Sequence, residues 1–117
     1  MRNKPFLVFR TLSFFADVNG DGTIDDAFIL WMHQEETTGY FYYVVAALKK
    51  SEGYIGTNAL PLGDRIAPQT TEFRDGKITV NYADRRSDEP FAAEPTVGVT
   101  AQYTVRGDRL VEVNRSK

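Results

Sequence analysis

Alternation of apolar and polar side chains predicts that this chain folds mainly into β-strands. Over Val97–Arg106 every second residue is apolar, and small or polar residues stand between them. Ile78, Val80 and Tyr82 repeat the same pattern upstream. A period of two places alternate side chains on opposite faces of a strand. Each of these segments is therefore predicted to bury one face.

Residues 40–48 follow a different pattern, because nearly all of them are apolar. Such a run fits a central strand that is covered on both faces. A short buried helix over residues 44–50 is the alternative, since Ala46, Ala47 and Leu48 favour helix. The strand is favoured, because aromatic residues and valines dominate the segment just upstream.

Turn signals divide the chain into hairpin-sized pieces. The sequence Asn-Gly-Asp-Gly at 19–22, the pair Asp75-Gly76 and the pair Gly107-Asp108 each separate two apolar segments. The chain length suits one domain, residues 1–117. The predicted fold is all-β, with about eight antiparallel strands in hairpin order, closed into a barrel or folded into a sandwich, and little helix.

The segment between the first two predicted strands has the spacing of a calcium-binding loop. Carboxylate or amide oxygens stand at loop positions one, three, five and nine, and the residue at position seven offers its carbonyl. Alternating side chains of this kind converge on a hard cation that takes six to eight oxygen ligands. The predicted metal ligands are Asp17, Asn19, Asp21, Thr23 and Asp25.

Two features around these ligands define the kind of loop. Gly22 stands at position six, where a sharp turn needs a permissive backbone. Phe28 occupies position twelve, where an EF-hand has a bidentate Glu, and predicted strands flank the loop. The segment therefore resembles the hairpin calcium loops of FG-GAP blades, in which the last carboxylate, here Asp25, replaces the missing Glu. In this interpretation Ile24 points inward and anchors the loop to the core.

Charge also favours an ion at this loop. Its three aspartates repel one another without a cation, and Asp26 adds a fourth negative charge. Calcium fits better than magnesium, which avoids sites made only of protein ligands. The alternative is a polar turn without metal, since Asn- and Asp-rich turns are common.

Composition excludes several other functions. The chain has no cysteine, which excludes disulfides, thiolate metal sites and cysteine nucleophiles. A net charge of −2 without a basic run argues against a nucleic-acid partner. No segment approaches the roughly 20 apolar residues of a membrane-spanning helix. The apolar run before Arg10 is too short for the core of a signal peptide and predicts a first strand instead.

Three further features have simpler interpretations. His33, the only histidine, has no local metal or catalytic motif and is expected to be an ordinary sheet residue. The tripeptide at residues 106–108 is expected to be a turn. Of the four aromatic residues at 40–43, two are expected to fill the core and two to face a ligand such as a sugar or peptide.

The chain resembles a group of bacterial exported proteins and lipoproteins of uncharacterised function, which carry this loop and sometimes accompany META-type domains. The resemblance implies a periplasmic or other extracytoplasmic location, where millimolar calcium is available. It implies no enzymatic activity. The segments that carry it are residues 17–27, 39–43, 62–65, 75–80, 89–91 and 95–97.

The sequence thus predicts an extracytoplasmic calcium-binding accessory or binding domain with a protein or glycan ligand. A glycan hydrolase of the cell envelope is one alternative, with Asp64, Asp84, Asp88 and Glu89 as the carboxylates available for catalysis. A structural interaction module is the other, and a large exposed apolar patch would favour it.

Overall fold

The strands of this protein form two antiparallel sheets. A computed structural model describes residues 6–116, with side chains from residue 8 onward. Within that range there are nine strands, and no helix is long and apolar enough to cross a membrane. The strands are β1 Phe6–Ala16, β2 Asp25–Gln34, β3 Phe41–Lys50, β4 Gly53–Gly56, β5 Leu60–Asp64, β6 Ala67–Arg74, β7 Lys77–Asp84, β8 Val97–Arg106 and β9 Arg109–Ser116.

Strand order follows chain order closely. The first sheet has the order β1-β2-β3-β4, with β5 also paired to β3, and the second has the order β6-β7-β8-β9. The all-β, hairpin-linked prediction is confirmed, and the separate sheets form a sandwich, not a closed barrel. The strand count exceeds the predicted eight because residues 54–62 do not form one strand. Thr57 lies between β4 and β5 and interrupts the segment. Its N–H donates to the carbonyl of Ala46 at 2.8 Å, and its Oγ1 accepts from the N–H of Ala46 at 3.0 Å.

A single hydrophobic core lies between the two sheets. The alternating residues of β7 and β8 face it as predicted, with Val80 and Ala101 completely buried. The first sheet contributes its own alternating set, and Val18 and Ile66, which lie between strands, belong to the same core. The buried core residues are Val18, Ala27, Ile29, Val44, Ala46, Leu48, Leu62, Ile66, Ile78, Val80, Tyr82, Val99, Ala101, Tyr103 and Leu110.

Strand β3 settles the choice between strand and helix for residues 44–50. The segment is a strand, and its inward residues Val44, Ala46 and Leu48 are fully buried. The expectation that both faces are covered is wrong, because outward residues such as Val45 are only half-buried. The outer face of the first sheet is thus apolar and partly open to solvent.

Both predicted two-residue turns have the backbone that tight hairpins require. Asp75 and Gly76 join β6 to β7 with φ values of 53° and 74°, and Gly107 and Asp108 join β8 to β9 with φ values of 53° and 66°. Two successive positive φ angles define a type I′ turn, whose twist matches that of the flanking strands. The turn interpretation of residues 106–108 is therefore confirmed.

Arg115 connects the hydroxyls of two core tyrosines in a polar network. The guanidinium of Arg115 donates to the hydroxyl of Tyr82 (2.6 Å) and to that of Tyr103 (3.4 Å), and Glu112 accepts from the same guanidinium at 2.7 Å. Burial raises the pKa of both tyrosine hydroxyls above the ordinary value. The two hydroxyls therefore remain neutral over the physiological pH range.

Candidate metal site

The loop that joins β1 to β2 brings three carboxylates together. Ala16 and Asp25 pair across the two strands, so the chain between them must turn back on itself within a short distance. One carboxylate oxygen from each of Asp17, Asp21 and Asp25 lies within 4.8 Å of the other two. The predicted convergence of these three side chains on one centre is therefore present in the fold.

Asp17 organises the turn through its carboxylate. Its Oδ1 accepts hydrogen bonds from the backbone N–H of Gly20 (2.8 Å) and Asp21 (3.2 Å), and its Oδ2 accepts one from Gly22 (2.9 Å). Gly20 and Gly22 have φ values of 76° and 88°, which glycine adopts without steric cost. The glycines thus allow three backbone N–H groups to point at one carboxylate.

Asp21 lies at the exposed tip of the loop. Its Oδ1 accepts hydrogen bonds from the backbone N–H (3.0 Å) and the hydroxyl (2.8 Å) of Thr23. These bonds, the backbone one first, lower the pKa of Asp21, so its carboxylate is charged at neutral pH. Asn19 also lies beside it, with its Nδ2 3.4 Å from Oδ2 of Asp21. The ligand roles of Asn19 and Thr23 remain predictions.

Asp25 is the buried member of the cluster. It is fully excluded from solvent, and its two oxygens accept hydrogen bonds from the backbone N–H of Val18 (3.1 Å) and of Lys49 (2.8 Å). These bonds connect the loop to the end of β3. The position of Asp25 is therefore fixed by the sheet, whereas Asp21 is held only by the loop itself.

The predicted inward orientation of Ile24 is wrong. Its side chain is 55% exposed, and Val18, at 6% exposure, is the residue that anchors the loop in the core. Asp25 begins β2 and faces inward, so alternation along the chain turns Ile24 outward. Asp26 faces away from the cluster for the same reason, and its Oδ2 pairs with Arg10 at 2.6 Å.

The donor set fits a hard divalent cation. All three clustered side chains are carboxylates, and oxygen is the ligand that calcium and magnesium prefer. Each carboxylate oxygen has two lone-pair sites, so an oxygen that accepts one N–H can also approach an ion. The cluster could therefore hold a metal ion without losing the hydrogen bonds that shape the loop.

No family model, curated protein or solved structure matches this chain. The interpretation of the cluster consequently rests on the loop sequence and its geometry. This loop combines three carboxylates spaced four residues apart, the last of them buried, with two glycines at positive φ.

The four carboxylates that a hydrolase would need all contact neighbouring arginine residues. Asp64 also accepts a hydrogen bond from the backbone N–H of Tyr40 at 2.9 Å, which ties β5 to the start of β3. Asp84 and Glu89 line one cavity of about 250 Å³, together with Arg85 and Arg86. The contacts are Asp64 with Arg65 (3.0 Å), Asp84 with the N–H of Arg85 (2.7 Å), Asp88 with Arg86 (3.5 Å) and Glu89 with the N–H of Arg86 (2.7 Å).

His33 and the aromatic segment at 40–43 lie at the opposite end of the β1–β2 hairpin from the loop. His33 is half-buried in β2, as an ordinary sheet residue, and its Nδ1 donates to the carbonyl of Gly39 at 2.9 Å. Tyr42 packs partly against the core, whereas Tyr40 and Phe41 are exposed. None of the four aromatic residues is fully buried, so the expectation of two core rings is met only in part.

Proposed function

We propose that this protein is an extracytoplasmic calcium-binding domain that binds a ligand, and that calcium stabilises its first hairpin. The observation that carries the proposal is the convergence of Asp17, Asp21 and Asp25 within 4.8 Å in a loop with calcium-loop spacing. A bound cation offsets the mutual repulsion of three carboxylates at this distance.

The loop supports calcium over magnesium. Calcium accepts irregular geometry and many protein oxygens, whereas magnesium demands near-ideal octahedral geometry and retains several waters. The proposed ligand set combines three carboxylates with Asn19 and the carbonyl of Thr23, which is close to the six to eight oxygens that calcium takes. A site whose outer side is formed by an exposed loop tip suits modest affinity, and the millimolar calcium outside the cytoplasm fills such sites.

The test is a thermal melt of the protein with calcium, with magnesium or with a chelator. Calcium at a hundredfold excess over its dissociation constant adds about 2.7 kcal/mol to the free energy of unfolding. For a domain of this size that corresponds to a rise in Tm of roughly 10 °C. Magnesium at the same concentration is expected to produce a much smaller rise.

Asp21→Ala is the informative variant. Asp21 is exposed and bonds only within the loop, so its removal leaves the core intact while it deletes one ligand. The calcium-dependent rise in Tm is expected to disappear in this variant and to persist in Asp88→Ala, which removes an exposed carboxylate elsewhere. Equal calcium responses in the two variants, or no response in the unaltered protein, would refute the proposal.

An interaction module is the second candidate, because the outer face of the first sheet carries exposed apolar side chains. Val8, Met32 and Phe41 are direct neighbours across β1, β2 and β3, and Val8 and Phe41 are 53% and 45% exposed. Exposed apolar patches of this kind occur at protein–protein contacts. This candidate is compatible with calcium binding, since the loop and this face are separate.

A further inference from the structure

Aromatic rings form a continuous shelf on the inner face of the first sheet, beyond its most deeply buried positions. Phe9, Trp31 and Tyr42 are direct neighbours across β1, β2 and β3, on the face that buries Ile29 further along β2. Phe9 stacks on Trp31 with ring centroids 4.4 Å apart, and Tyr42 lies 6.2 Å from Trp31. Tyr40 adds a further ring at 5.8 Å. We call these four residues the aromatic shelf.

A slot of about 250 Å³ opens beside the shelf, between it and the second sheet. Pro68 of β6 forms the facing wall, and a bulge in β1, where Leu12 has a φ of 51°, shapes one side. The slot is smaller than the roughly 300–1,000 Å³ of typical drug-sized pockets, so it suits one small ring. Its lining residues are Thr11, Leu12, Trp31, Tyr42 and Pro68.

The chemistry of the slot selects a neutral ligand. None of its lining side chains carries a charge, so a charged ligand would lose hydration without gaining a partner. The indole Nε1–H of Trp31 and the hydroxyl of Tyr42 form no hydrogen bond with another described residue. The first is a donor only, whereas the second both donates and accepts.

We propose that the slot and the aromatic shelf bind a neutral carbohydrate. A sugar ring presents a flat face of C–H groups, which packs on an aromatic ring, and hydroxyls that both donate and accept hydrogen bonds. It therefore satisfies Trp31 and Tyr42 together. This inference names the ligand class of the binding domain proposed above, and it rests on that proposal only in treating the protein as a ligand-binding domain.

A proline-rich peptide is the main competing ligand, because proline rings also pack in aromatic grooves. Proline has no backbone N–H, so such a peptide offers carbonyl acceptors but few donors. Its carbonyls would accept from both the indole N–H of Trp31 and the hydroxyl of Tyr42, but the lone pairs of that hydroxyl would lack a donor from the peptide. A hydroxyl-bearing ring has no such deficit, which favours the carbohydrate.

The slot is separate from the candidate metal site. Trp31 and Asp25 lie six positions apart on the extended strand β2, which corresponds to roughly 20 Å. Calcium at the loop therefore has no direct contact with a ligand in the slot. Carbohydrate binding is expected to continue, with the same affinity within about twofold, in a chelator.

Trp31 is the only tryptophan in the chain, so its fluorescence reports on the slot directly. The experiment titrates the protein with neutral hexasaccharides of β-glucan, α-glucan, xylan and chitin type, up to about 10 mM. A polyuronic acid fragment and a polyproline peptide serve as competitors of different chemistry. A saturable change with at least one neutral sugar is expected. No change with any of them, or tighter binding of the uronic acid or the peptide, would overturn the proposal.

Two matched tyrosine variants locate the site. Tyr42→Phe removes one hydroxyl from the slot and is expected to weaken binding about tenfold, the effect of one lost hydrogen bond. Tyr54→Phe removes a hydroxyl from β4, where the ring is 56% exposed and outside the shelf, and should leave the affinity unchanged. Equal affinities for the two variants would contradict the assignment. A missing calcium response combined with intact sugar binding would refute only the metal site.

Discussion

At the scale of single residues, Asp25 has two roles that the loop sequence does not separate. It belongs to the carboxylate cluster, and it also accepts hydrogen bonds from the backbone N–H of Val18 and of Lys49 while fully buried. A buried N–H without a partner is costly, so Asp25 contributes to folding with or without an ion. Asp21 lacks this second role, since all its partners lie in the exposed loop.

Replacing Asp25 with Ala is therefore expected to destabilise the protein even when no metal is present. The buried N–H of Val18 and the part-buried N–H of Lys49 lose their acceptor, which lowers the free energy of unfolding by about 2–4 kcal/mol. Asp25→Asn keeps one acceptor oxygen and is expected to lose roughly half of that amount. Urea unfolding in the presence of a chelator measures both values.

Asp21→Ala provides the comparison under the same chelating conditions. Its unfolding free energy should stay within about 0.5 kcal/mol of the unaltered protein, because the side chain is exposed. If Asp25→Ala were no more destabilising than Asp21→Ala in chelator, the structural role assigned to Asp25 would be wrong.

At the scale of elements, tight turns fix the pairing of neighbouring strands. In the Asp75-Gly76 turn both residues have positive φ, and the register from Arg74↔Lys77 to Thr70↔Asn81 follows from that turn. A positive φ disfavours residues that carry a Cβ. Glycine is therefore favoured at position 76 by its φ of 74°, and not by a lack of space for a side chain. Nothing lies within 4 Å of a Cβ built at this position.

Gly76→Ala is accordingly expected to lower the free energy of unfolding by about 1–2 kcal/mol through backbone strain alone. Gly98→Ala is the matched control, since Gly98 also has open space around it but lies in the extended strand β8 without a positive φ. At Gly98 an added Cβ restricts the unfolded chain. Gly98→Ala should therefore leave the free energy of unfolding unchanged or raise it by up to about 1 kcal/mol. Similar effects at both positions, measured by urea unfolding, would rule out the conformational explanation.

The same local rules determine how much of the fold the sequence could predict. Period-two alternation identified the buried faces of β7 and β8, and the two Gly/Asp turn pairs identified their hairpins. The break at Thr57 was missed because it depends on hydrogen bonds to Ala46, which is distant in sequence. Long-range pairing of this kind leaves no local pattern.

The candidate metal site likewise has features that the local sequence predicts and features that it does not. Ligand spacing predicted which carboxylates converge, because that convergence is a property of the loop backbone. The orientation of Ile24 depends instead on which face of β2 meets the second sheet, and only the starting register of that strand decides it. The aromatic shelf was also beyond prediction, since register places Phe9 beside Trp31 although the two are far apart in sequence. Only the segment at 40–43 could be identified as aromatic.

At the scale of the whole molecule, polar contacts join the two sheets at both sides of the sandwich. On one side the hydroxyl of Thr71 in β6 donates to the carbonyl of Leu12 in β1. On the other side Asn58, between β4 and β5, donates to the carbonyl of Leu110 at 3.0 Å and accepts from its N–H at 2.8 Å. The side chain of Asn58 thus bonds backbone groups of β9 that a neighbouring strand would otherwise bond. β9 is an edge strand, whose unpaired backbone groups are open to new partners.

Asn58→Ala is expected to lower the free energy of unfolding by about 1–3 kcal/mol, because both backbone groups of the buried Leu110 lose their partner at once. The amide proton of Leu110 should also exchange with solvent faster, while amides in the centre of β7 remain protected.

Asn114→Ala is the control for this prediction. The exposed side-chain amide of Asn114 contacts only the side chain of Gln102, so its loss should change stability by less than about 0.5 kcal/mol. If the two variants had equal stability and Leu110 exchanged at its original rate, hydrophobic packing alone would hold the sheets together. Loss of protection at Leu110 would instead show that the sandwich depends on this bidentate contact to close its edge.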